Sequence, residues 1–74
     1  MDYLEAALTV LREENIALHW TVIQDLALKR GYLDPFTQPD IRKNLLAALA
    51  RAATEGLAVK EGTGVYALPT ERAP

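Results

Sequence analysis

Arg42-Lys43-Asn44 stand together near the start of the longest helix-patterned stretch of the chain, and Ala47 and Arg51 follow at helical spacing. Arginine and lysine can chelate the edge of a guanine or neutralise a phosphate, and asparagine can pair with adenine. Farther along, Lys60 and Thr63 belong to the segment Lys60-Glu-Gly-Thr-Gly64, where backbone amides and a hydroxyl could press on a phosphate. Ala47 and Ala50, in the middle of the same helical face, offer bases no hydrogen bonds. Their small side chains suit a partner helix or an apolar groove instead. Leu46 and Ala53 could widen that patch, although contact with the hairpin or the first helix accounts for them more simply.

Other chemistry finds fewer tools. His19 is the only histidine, and the chain has no serine and no cysteine to serve as its nucleophile, nor a second histidine for a nitrogen-rich metal site. His19 reads as a strand-edge residue and Trp20 as a core residue. Glu13 and Glu14 are adjacent and therefore point about 100° apart on a helix, which makes them no acid–base pair. Gly62-x-Gly64 follows a strand pattern and opens no helix, so it is not a nucleotide-cradling loop. Turn geometry explains both glycines, and Lys29-Arg30 can be explained as cations at the negative end of a helix dipole. The expectation is a protein without enzymatic activity, cofactor, metal or small-molecule substrate.

The chain of 74 residues has room for one domain, and its net charge of −2 argues against adhesion to nucleic acid by charge alone. Charge is polarised along the sequence. Residues 1–25 carry Asp2, Glu5, Glu13, Glu14 and Asp25 against Arg12, whereas residues 26–60 carry Lys29, Arg30, Arg42, Lys43, Arg51 and Lys60 against Asp34, Asp40 and Glu55. Half of the residues are apolar, and without cysteine the fold must rest on packing. No basic leader precedes an apolar run, and no run approaches the roughly 20 residues that span a bilayer, so a soluble cytoplasmic protein is expected.

The elements that must position these residues follow from periodicity. Leu4, Ala7, Leu8 and Leu11 fall on one stripe and predict a first helix over 2–14, stopped at Asn15 by a left-handed cap. Ile16 to Trp20 suits a crossing segment or a short strand. Thr21-x-x-Gln24 has capping-box spacing and predicts a second helix to about Arg30, with Val22, Ile23, Leu26 and Ala27 buried and Gly31 ending it. Thr37-Gln-Pro-Asp40 repeats the start signal for a third helix, with Ile41, Leu45, Ala48, Leu49 and Ala52 inward and Gly56 as its stop. The outward face then carries Lys43, Asn44, Ala47, Ala50, Arg51 and Thr54. Leu57 to Lys60 and Val65 to Leu68 predict a hairpin whose inner face is Leu57, Val59, Tyr66 and Leu68, with a loop of Glu61 to Gly64. Pro69 closes this domain of residues 1–69, and 70–74 reads as a flexible tail.

Helix, short strand, helix, helix and hairpin is the order of a winged helix-turn-helix, mainly α with three helices plus a wing. Ala7-Leu8-x-Val-Leu11, Leu18-His19-Trp20 before Ile23, Leu49, and Gly64-Val-Tyr-x-Leu68 together resemble the HARE-HTH domain. That module is found at the N-terminus of the RNA polymerase delta subunit and in chromatin and DNA-modification proteins. The family commonly opens its third helix with Thr-Pro, whereas here Gln38 separates Thr37 from Pro39. The resemblance implies a role in transcription or DNA-processing machinery. Arg42, Lys43, Asn44, Ala47, Arg51, Lys60 and Thr63 are the expected nucleic-acid or partner contacts, and two roles are expected: weak, salt-sensitive DNA binding through the third helix and wing, or docking on RNA polymerase or another nucleic-acid enzyme through the acidic first helix or the alanine face. A domain cut from a longer chain whose function lies elsewhere is the third reading.

Overall fold

The computed structural model describes residues 1–69. The expected tail at 70–74 lies outside them. The first helix, α1, is Tyr3–Glu14, with Asp2 as its cap: the Asp2 carboxylate accepts the Glu5 amide at 2.7 Å and satisfies a donor that the helix leaves open. Asn15 ends α1 in the left-handed conformation and donates its amide to the Leu11 carbonyl, as its tolerance for that conformation predicts.

The segment after Asn15 yields a strand of only two residues, β1 (Leu18–His19), and Trp20 already begins α2 (Trp20–Lys29). Thr21 is therefore not the cap. His19 takes that role, its Nδ1 accepting the Thr21 amide at 3.3 Å and lying 2.8 Å from the Thr21 hydroxyl. Pairing with the hairpin fixes His19 in extended geometry and draws the Trp20 amide to the Gly64 carbonyl, so the helix starts two residues earlier than side-chain spacing suggests. Ile23 and Ala27 are buried on α2, whereas Val22 faces solvent, a second correction. Gly31 ends the helix with φ +76°, and the amides of Tyr32 and Leu33 return to the Ala27 carbonyl. That reversal drives Leu33 into the core.

The third helix, α3, is Ile41–Thr54, and Thr37 does not cap it. Thr37 and Gln38 instead donate their amides to the Asp34 carbonyl, and the Asp34 carboxylate accepts the Phe36 amide, so a separate turn absorbs the start signal. Asp40, at φ 49°, leads into the helix without a side-chain capping bond. Leu45, Leu49 and Ala52 are buried as the periodicity predicts, with Ile41 and Ala48 half-buried beside them. Gly56 stops the chain at φ +78°, and the amides of Leu57 and Ala58 both reach the Ala52 carbonyl.

That reversal shifts the hairpin by one residue. Strand β2 is Val59–Gly62 and β3 is Val65–Ala67, with Lys60 opposite Tyr66 and Val59 opposite Ala67. Ala58 is thus the inward residue at 2% exposure, while Leu57 and Val59, expected inside, are 41% and 40% exposed. A one-residue slip exchanges the faces of a strand, and the period-two pattern could not choose between Leu57 and Ala58. An irregularity at Glu61 then brings Gly62 opposite Val65, so the loop expected at 61–64 shrinks to Thr63-Gly64. Only Gly64 of its two glycines uses positive φ, at +72°. β1 adds to the hairpin antiparallel, in the order β1-β3-β2.

The result is mainly helical, three helices and a small antiparallel sheet around a core of Val10, Leu11, Ile23, Leu33, Leu45 and Leu49, capped by Tyr66 and Ala58. Among the described residues, no helix is long and apolar enough to cross a membrane. Gly64 is the pivot between sheet and helix. A Cβ there would stand 2.9 Å from His19 Nε2 and 3.0 Å from Trp20 Cδ1, in a conformation that L-residues avoid. Gly64→Ala is expected to cost about 2 kcal/mol, read from the urea midpoint, with the first loss of amide-exchange protection in β3 and at Trp20.

Candidate nucleic-acid interface

Helix geometry decides what α3 can present. With Leu45, Leu49 and Ala52 turned inward, Lys43, Ala47, Ala50 and Thr54 form the opposite stripe, and all four are exposed. Arg42 and Arg51 are nine residues apart and therefore project about 180° from each other. They flank the stripe on opposite sides. A flat partner could not take both, but two walls of a groove could.

Asn44 is half-buried, and its Nδ2 donates to the Pro39 carbonyl at 3.1 Å. In the free protein this amide steadies the entry to α3. Arg51 Nε donates to Glu55 Oε2 at 2.9 Å, and this pair raises the arginine pKa, first through the hydrogen bond and then through the carboxylate charge. Asn44, Ala47 and Arg51 also line one cleft of about 440 Å³ with Asp2, Tyr3, Leu4 and Ala48, between α3 and the start of α1. Asp2 makes that cleft unsuited to a phosphate. Thr54 turns its hydroxyl back to the Ala50 carbonyl at 3.1 Å.

Lys60 and Thr63 are exposed on the hairpin. The hairpin is tied to the end of α3 through the Leu57 and Ala58 amides, so the seven candidates divide into three places: Arg42 and Lys43 on the first turn of α3, the cleft trio Asn44, Ala47 and Arg51, and the hairpin pair. Ala53 packs against the core, in keeping with its expected contact inside the chain, and Leu46 is half-buried.

The basic half of the sequence is less available than its composition suggests. Arg30, the last residue of the α2 turn, donates to Glu13 Oε1 at 2.7 Å and to Glu14 Oε2 at 2.6 Å, and the Tyr32 hydroxyl donates to the other oxygen of Glu13. The acidic end of α1 is thereby latched to the end of α2. Nothing in the spacing of Glu13-Glu14 reveals this partner, since 16 residues separate Glu14 from Arg30. Among the described residues, Arg42, Lys43 and Lys60 meet no carboxylate at ion-pair distance, and neither do Arg12 and Lys29 elsewhere.

The latch also has a pH signature. The Tyr32 hydrogen bond, followed by the Arg30 guanidinium, outweighs desolvation and holds Glu13 below the ordinary carboxylate range. Its contribution is therefore complete above the unfolded glutamate value and is lost as acid protonates the folded carboxylate. Bonding to Glu13 raises Tyr32, so that contribution is present below the ordinary tyrosine range and is lost in alkali. Glu13→Gln is expected to flatten both limbs of a thermal-midpoint profile recorded from about pH 3 to about pH 11, a span enclosing the ordinary ranges of both groups.

Among the described residues, no three His, Asp or Glu side chains gather in a way that could hold a metal ion. The chain matches no protein-family model, no curated protein and no solved structure.

Proposed function

We propose that this chain is a winged helix-turn-helix recognition module without catalytic activity, similar to the HARE-HTH domain, that binds duplex DNA weakly through α3 and the β2–β3 wing. One observation carries the reading: among the described residues, Arg42, Lys43 and Lys60 are exposed and meet no carboxylate on α3 and the hairpin, while Arg30 and Arg51 are taken by carboxylates. α3 would enter the major groove with its first turn nearest the bases. Lys43 and the small residues Ala47 and Ala50 let the helix approach closely, Arg42 reaches one groove wall, and Lys60 and Thr63 follow the backbone beside it. The reading places such a module with transcription or DNA-processing machinery.

Neutralising about three phosphates gives a log–log salt slope near −2.7, so affinity should fall about 40-fold between 50 and 200 mM salt. Absolute affinity should lie in the non-specific range, about 10⁻⁴ to 10⁻⁶ M. Anisotropy of a labelled duplex at the two salt concentrations tests this; a flat salt response contradicts it. A second reading, docking on a nucleic-acid enzyme through the acidic first helix or the alanine face of α3, is favoured by the net charge of −2.

A further inference from the structure

The entry to α3 is held from outside the helix. Asp40, the residue before it, makes no side-chain capping bond and sits at φ 49° and ψ 47°, a left-handed conformation that residues with a side chain rarely adopt. The peptide ahead of Asp40 is the one that is tied down. Its oxygen, the Pro39 carbonyl, accepts two hydrogen bonds, from the Tyr3 hydroxyl at 2.9 Å and from Asn44 Nδ2 at 3.1 Å. Tyr3 reaches it across 36 residues of sequence from the start of α1, and Asn44 from the end of the first turn of α3 itself. Both side chains are half-buried. Arg42 and Lys43, both exposed, lie in the chain between the held carbonyl and Asn44.

We infer that Asn44, together with Tyr3, is a positioning residue of the α3 site and not a reader of bases: the two side chains clamp the Pro39 carbonyl and so set the turn from which Arg42 and Lys43 project. The inference rests on the proposal that α3 binds duplex DNA, and adds how that site selects. Holding a binding turn in place before its ligand arrives reduces the ordering cost of binding. Residue type alone makes Asn44 an adenine reader, since its amide can face adenine N6 and N7. Its place on the helix argues against that role. Asn44 stands about 100° around α3 from Lys43 and lines the cleft shared with Asp2, Tyr3 and Leu4 at the start of α1. To meet a base, its side chain would have to turn away from that cleft and give up Pro39. Ala47 and Ala50 offer a base no hydrogen bond, so Lys43, whose frequent partner is guanine, is the reader left on the outward stripe, and adenine has none.

The test compares the full chain with Tyr3→Phe, Asn44→Ala and the double variant. Each substitution removes a donor to Pro39 and leaves the charge unchanged, and Tyr3→Phe keeps the ring that packs against the core. Anisotropy of one labelled duplex is recorded from low to physiological salt, at a temperature where circular dichroism shows every variant folded. Each single variant should reduce the magnitude of the salt slope by about one, because a cation on the first turn no longer meets its phosphate. The double variant should go no further than either single, since both act through one carbonyl. Wild-type affinity should be the same for a duplex whose adenines are replaced by 7-deazaadenine, which lacks the N7 acceptor that an asparagine reader needs. A salt-dependent wild type whose slope both single variants leave unchanged overturns the proposal alone, whatever happens to their unfolding midpoints, because a merely structural bond moves only the midpoint. Wild-type binding that weakens with 7-deazaadenine, with the difference lost in Asn44→Ala, makes Asn44 a reader and overturns it too. A flat salt response in the wild type contradicts DNA binding itself, and the proposal falls with it.

Discussion

Lys43→Glu combined with Lys60→Glu should abolish detectable binding to duplex DNA while leaving the fold intact. Both side chains are exposed, and among the described residues neither meets a carboxylate, so reversing them breaks no internal ion pair. The net charge would move from −2 by four further units, concentrated where phosphates would lie. Lys60→Glu alone should reduce the magnitude of the salt slope by about one, the signature of one lost phosphate contact, and weaken all sequences about equally. Lys43 lies on the first turn of α3, so its replacement should also flatten any preference among duplex sequences. Anisotropy titrations of the three variants at low salt, with thermal unfolding as the check on folding, read these outcomes. Equal binding by the double variant would remove α3 and the wing from the interface.

Leu49→Ala should cost the domain a large share of its stability. Leu49 is fully buried between Leu45 and Ala52 on the inner face of α3, the face that closes over Val10 and Leu11 of α1. Deleting three methyl or methylene-sized groups from such a site typically costs 2–5 kcal/mol, roughly, because the surroundings collapse only in part. A domain of this size holds only about 4–11 kcal/mol in all. Urea unfolding should show the midpoint dropping by about a fifth or more. The exposed Ala50→Ser on the same helix should stay within about 0.5 kcal/mol of wild type, so a general weakening of α3 can be told apart from a core defect.

What could be read before the fold was known follows a physical pattern. Stops are written in single residues: Asn15, Gly31 and Gly56 each take the left-handed conformation where periodicity ends, and each was legible. Starts are written in side chains that compete for several amides. Thr21 and Thr37 both had capping chemistry, yet His19 was drawn into place by the sheet and Asp34 captured the amides of Thr37 and Gln38. Core positions on α3 were legible because 3.6-residue periodicity spans many residues, whereas Val10 of α1 went unread and Val22 of α2 was wrongly turned inward. The four-residue strand offered no such averaging, and its register came from the reversal after Gly56 and the irregularity at Glu61. At the proposed interface, the sequence pointed to Arg42, Lys43, Asn44, Arg51, Lys60 and Thr63 by residue type and spacing alone. It was silent on which cations are already occupied, since Arg30 finds Glu13 and Glu14 only once α1 and α2 pack.

The most direct test of the α3-and-wing reading is a titration of isotopically labelled protein with duplex DNA at low and at physiological salt, followed by amide chemical shifts. The expected result is a contiguous set of shifts over Arg42–Ala47 and Lys60–Gly64, shrinking at the higher salt, with α1 and the Phe36 turn unmoved. If no amide between residues 40 and 65 shifts even at low salt, DNA binding through α3 and the wing is contradicted.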